Sequence, residues 1–107
     1  MPARVNTHRS LLKALHTLKP KYRKALLKSC GDEEIHCICE CIFNILNGKI
    51  SLNDKDKSKL SKYKTILRKL ILKGKNKWRK RIIVQKGGAF LPIILGAILS
   101  GLFSSII

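Results

Sequence analysis

The stretch Lys73-Gly74-Lys75-Asn76-Lys77-Trp78-Arg79-Lys80-Arg81 runs on through Ile82-Ile83-Val84-Gln85-Lys86 to Gly87-Gly88, and there the charge stops. From Ala89 to Ile107 no side chain is ionisable, and Ile, Leu and Phe dominate. A cationic run, a glycine pair and an apolar segment in that order predict a molecule with two kinds of contact. One is to an anionic polymer or surface, the other to a hydrophobic environment.

The rest of the chain sharpens the first half of that reading. Lys and Arg total 23 against 6 Asp and Glu, a net charge of +17 in 107 residues. The acids are Asp32, Glu33, Glu34, Glu40, Asp54 and Asp56, and none follows Asp56. Such a charge repels itself in a compact state unless a polyanion neutralises it, so nucleic acid or anionic lipid is the expected partner. Aromatic residues make up only 6%, which leaves few platforms for stacking single-stranded bases.

Upstream of the cationic run, hydrophobic spacing predicts four short helices. Asn6 or Thr7 caps the first, which carries Leu11, Leu12, Leu15 and Leu18. Pro20 suits the first turn of a second helix, which buries Tyr22, Ala25 or Leu26, and Cys30, with Gly31 as its C-terminal cap. Asp32, Glu33 and Glu34 start a third, since acids there complement the positive end of the helix dipole. Its apolar positions are Ile35, Ile38, Ile42, Ile45 and Leu46, Asn47-Gly48 stops it, and Ile50 and Leu52 pin the following loop to the core. Asn53 or Asp54 caps a fourth helix, from Lys55 to Lys73, with Leu60, Tyr63, Ile66, Leu67, Leu70 and Ile71 on one arc. The expected fold is all-α: a small four-helix domain over residues 1–73, a basic connector over 74–88 ending in Gly87-Gly88, and a hydrophobic helical tail over 89–107.

Cys30, Cys37, Cys39 and Cys41 lie close together beside His36. On a helix Cys39 points with Ile35 and Ile42 into the core, while Cys37 falls nearly opposite. Cys37 and Cys41 are neighbours but supply two ligands where zinc takes four. No metal site is assigned, and the thiols read as buried, reduced side chains. Met1 to Asn6 carries no apolar signal region, which fits a reducing compartment. The histidines have no nucleophile or acid at a suggestive spacing, and Gly87-Gly88 lacks the lysine and hydroxyl that follow in a phosphate-binding loop. The chain is therefore expected to be no enzyme and to need no cofactor.

The candidate nucleic-acid-binding residues are Lys59, Lys62, Lys69, Lys73, Lys75, Lys77, Arg79, Lys80, Arg81 and Lys86, with Trp78 among them. Such a set neutralises several phosphates and releases their counterions without reading sequence. The same run also satisfies a nuclear import signal. Trp78 has three open roles: stacking on a base, lying at a lipid headgroup, or covering the end of the bundle.

The candidate membrane-contacting residues are Phe90, Leu91, Ile94, Leu95, Ile98, Leu99, Leu102 and Phe103. As a helix, residues 89–107 span about 28 Å, just short of a bilayer's hydrocarbon thickness. Gly96, Ser100 and Ser104, with Ala97, Gly101 and Ser105, form a small-residue stripe of the kind that lets helices approach closely in lipid. Folding back over the bundle, or self-association through the tail, are the other readings of the same apolar run.

Two resemblances rest on these residues. Ser61-Lys62-Tyr63-Lys64, Arg68-Lys69-Leu70, Lys80 to Gly88 and Phe90-Leu91-Pro92 resemble the small basic proteins of Polinton/Maverick elements and adintovirus-like viruses, which have been likened to the adenovirus core protein X. The likeness covers the last half of the chain, plus the Cys37-x-Cys39-x-Cys41 pattern in a helical first half. It implies a virion protein that condenses double-stranded DNA, found in virions or the host nucleus. It also implies processing by a viral cysteine protease at Gly87-Gly88, where Gln85 departs from the preferred Met, Ile or Leu. Separately, Phe90-Leu91-Pro92-Ile93-Ile94 and Leu99-Ser100-Gly101-Leu102 resemble temporin-type membrane-lytic peptides, which implies a segment able to enter bilayers. The competing reading is a tail-anchored protein of intracellular membranes, its basic segment marking the cytosolic side. A toxin-like effector without a DNA role is a third.

Overall fold

A computed structural model describes residues 7–50, 52–72 and 75–104, with side chains described through Ser100. The chain is all-α, with no strand among the described residues. Its helices are α1 (Arg9–Thr17), α2 (Pro20–Ser29), α3 (Asp32–Leu46), α4 (Asp54–Ser61), α5 (Lys64–Leu72) and α6 (Asn76–Ser104). Of the positions singled out in the sequence, Asn6, Lys73 and Ser105 lie outside the described residues, as do the side chains of Leu102, Phe103 and Ser104.

Helix α6 is the axis of the molecule. It is continuous through Gly87-Gly88, where the connector was expected to end and the tail to begin, and packs against α1, α2, α3 and α4. Phe90, Leu91, Ile94, Leu95 and Ile98 are fully buried in the same cluster as Leu12, Leu15, Leu27, Ile35, Ile38, Ile42, Leu67 and Leu70. The physical reason is that each surrounding helix has one apolar stripe and needs an apolar partner, whereas a helix apolar on most sides is stable only where it is covered. The Cα radius of gyration, 12.7 Å, is close to the roughly 13 Å of a compact single domain of this length.

Pro92 falls inside α6 rather than in a first turn. It cannot bond the Gly88 carbonyl, and its ring crowds that carbonyl. Gly88 is exposed, and a Cβ there would meet nothing within 4 Å. Water can therefore reach the orphaned oxygen, and the backbone has room to adjust.

The ends of the helices account for most of the short loops. Asn47 and Gly48 stop α3 as expected: Gly48 takes φ +70°, its amide donates to Ile45, and the Lys49 amide donates to Asn44, the two bonds of a Schellman cap. Asn53 caps α4, its side-chain oxygen accepting from the Asp56 amide at 2.8 Å. Gly31, expected to cap α2, instead has φ −88° and precedes α3 as its N-cap, while Cys30 ends α2 in an extended conformation. At α1 the N-cap is His8, without a side-chain bond.

Two expected faces are corrected. Tyr22 is 57% exposed, and α2 buries Arg23 and Leu27 instead, while Cys30 at its end is buried as expected. The face is shifted because the Arg23 guanidinium caps α1, Nε donating to the Leu15 carbonyl at 2.7 Å and Nη2 to that of Leu18 at 2.9 Å. Cys37 is fully buried, not opposite the core, because α3 is gripped by α5 and α6 together. The helix expected over residues 55–73 breaks at Lys62–Tyr63. Ser61 Oγ donates to the Ser58 carbonyl and the Tyr63 amide to that of Leu60, so the last turn of α4 tightens and stops. Tyr63 then packs tilted on Phe90, ring centroids 6.0 Å apart.

Candidate nucleic-acid interface and apolar helix

The cations nominated from the sequence divide by what the fold does with them. Lys59 and Lys62 at the end of α4, Lys69 on α5, and Lys75, Lys77, Arg81 and Lys86 on or just before α6 all have exposed side chains. Lys57, Lys64 and Arg68 are exposed too. Lys57 was the least legible, since it follows directly on Asp54 and Asp56 at the α4 start.

Arg79 and Lys80 are half-buried. The Lys80 ammonium donates to the Cys30 carbonyl at 2.6 Å, fastening the end of α2 to α6. Arg79 lines a small cavity of about 160 Å³ with His36, Cys39, Glu40, Phe43 and Ile71. Its Nε is buried without a hydrogen-bond partner. Trp78 is half-buried and packs on the core, the covering role among the three left open.

The thiols lie beneath this surface. Burial pushes the Cys30 and Cys39 thiols above the usual thiol range, with Glu34 adding to the first, and Lys80 and Arg79 pulling back respectively. Cys41 is raised most by its hydrogen bond with Cys37, then by burial. Neutral, buried thiols make poor nucleophiles and poor metal ligands.

Six of the eight nominated membrane residues, Phe90, Leu91, Ile94, Leu95, Ile98 and Leu99, are buried in the bundle rather than displayed. Residues 76–100 are nonetheless long and apolar enough to cross a membrane, with a mean hydropathy of 1.9 in their most apolar window, 44% of which is buried. A core helix of a soluble bundle satisfies the same criterion. Of the small-residue stripe, Gly96 meets another helix in the bundle: a Cβ there would come within 3.2 Å of His16 Nε2 on α1. Gly87 is buried between the side chains of Ile83 and Leu91, and Gly88 is exposed.

No protein-family model, curated protein or solved structure matches the chain.

Proposed function

We propose that this chain is a non-enzymatic structural protein, virus-like or transposon-encoded, that binds double-stranded DNA through its backbone and condenses it. One observation carries the reading: from Lys57 to Lys86 the exposed charged side chains are all cations, on α4, α5 and the first half of α6. A surface of that kind attracts phosphates without regard to sequence, and binding weakens steeply with salt as counterions are released. The test is a gel-shift titration of a mixed-sequence duplex across salt. The expected result is a steep, sequence-independent decline in affinity. Affinity indifferent to ionic strength would overturn the reading.

A specific observation favours a second activity, contact with membranes through residues 90–107. Helix α6 joins membrane-crossing length and apolarity to a cationic first half, as in segments drawn to anionic bilayers. Because its apolar half is core, the bundle has to open before that half meets lipid. Leakage from anionic vesicles is expected to rise when the bundle is destabilised. Leakage unchanged by destabilising variants would sink this part. A tail-anchored protein remains the alternative, and resistance to extraction by high salt separates it from a peripheral one.

A further inference from the structure

A second concavity lies away from the Arg79 region, between the C-terminal end of α3 and α4. It measures about 410 Å³, within the range of small-molecule sites. Helix α4 stops at Ser61, before α5 begins at Lys64. Five aliphatic side chains line the concavity, Ile45 and Leu60 buried and Leu46, Ile50 and Leu52 half-buried, together with Gly48 and Ser61. The Schellman turn at Gly48 folds the Ile50–Leu52 side of the loop against the core. Two cations, Lys57 and Lys64, also line the cavity, and both residues are exposed. No acid is among the residues lining it.

We propose that this cleft binds a single-chain fatty carboxylate, the acyl chain against Leu46, Ile50, Leu52 and Leu60 and the carboxylate between Lys57 and Lys64. The volume holds about a dozen groups of water or methylene size at roughly 30 Å³ each, which matches a chain of medium length. The charge is complementary, because Lys57 and Lys64 line the cavity with no acid among its walls and a carboxylate supplies one. Apolar burial alone would favour an alcohol or alkane equally, so the head group is where the site discriminates.

The test is titration calorimetry of the whole protein with laurate below its micelle concentration, alongside dodecanol. The expected result is one laurate per chain, bound at least tenfold more tightly than dodecanol. In Lys57→Gln/Lys64→Gln, affinity for laurate is expected to fall at least tenfold and dodecanol binding to stay unchanged. Lys21→Gln/Lys28→Gln, which removes the same charge from exposed positions on α2, is expected to leave laurate binding intact. Equal loss in both double variants, several laurates per chain, or equal affinity for dodecanol would each overturn the assignment in favour of general attraction to a cationic protein.

Discussion

The Lys80 ammonium and the Cys30 carbonyl, fifty positions apart in sequence, meet at 2.6 Å. Helix α2 ends without a left-handed glycine, and this bond satisfies a carbonyl that would otherwise be orphaned at its C-terminus. A cation there also complements the negative end of the helix dipole. Lys80→Met is therefore predicted to lower the unfolding free energy by about 1–2 kcal/mol, measured by urea denaturation. If the proposed DNA contact is right, Lys77→Gln on the exposed face reduces the salt slope of DNA binding by about 1. Lys80→Gln, already committed to Cys30, is expected to change the slope less than that. Equal changes from the two variants would show that Lys80 leaves Cys30 to meet phosphate.

Arg23 does for α1 what Lys80 does for α2, but from a buried position and with two donors. Its planar fork reaches the Leu15 and Leu18 carbonyls together, which a lysine cannot reproduce. Arg23→Met is predicted to cost about 2–3 kcal/mol, through the loss of charge-assisted bonds that leaves buried carbonyls unpaired. Arg23→Lys is predicted to recover only part of that. Full recovery by lysine, read from thermal or urea midpoints, would contradict the two-carbonyl cap.

The two glycines at the centre of α6 are predicted to behave differently. Alanine at Gly88 meets open space, and Ala is preferred over Gly inside a helix by about 1 kcal/mol, so Gly88→Ala stabilises by roughly that amount. At Gly87 the new Cβ would lie 3.0 Å from Leu91 Cδ1, so Leu91 has to shift and most of the gain is lost. Should residues 90–107 leave the bundle through this weak point, Gly88→Ala also slows vesicle leakage. A higher melting temperature with unchanged leakage would place the opening elsewhere.

The buried thiols predict an alkaline limit to stability. Cys41 keeps its proton in the fold, held by its bond with Cys37 and by burial, while an unfolded thiol ionises near pH 8.5. Above that pH the unfolded state binds fewer protons than the folded one, so stability is fully present below about pH 8.5 and declines above it. The decline approaches about 1.4 kcal/mol per pH unit for this thiol alone. Urea midpoints at pH 7.5 and 10 measure it, and Cys41→Ala is expected to flatten the dependence. An identical slope in that variant would remove Cys41 as the cause. In the native protein at neutral pH, alkylation of Cys30, Cys39 and Cys41 is predicted to be slow, becoming fast in denaturant.

What the amino-acid sequence determined by itself depends on near neighbours, although the local break at Lys62–Tyr63 and the role of Gly31 escaped it. The all-α class, the α3 stop at Asn47-Gly48, the Asn53 cap and the core positions Leu12, Leu15, Ile35, Ile38, Ile42, Leu67 and Leu70 follow from helical spacing and local hydrogen bonding. The cationic candidates were equally legible, because charge at the surface requires no partner elsewhere in the chain. Tertiary structure alone decided the rest. Arg23 is buried because the end of another helix needs its donors, and Lys80 leaves the cationic surface because Cys30 lies beside it. Composition could not place α6: an apolar helix is stable in lipid or inside a sheath of amphipathic helices. Here α1, α2, α3 and α4 cover it, because their own apolar stripes need the surface that Phe90, Leu91, Ile94, Leu95 and Ile98 provide.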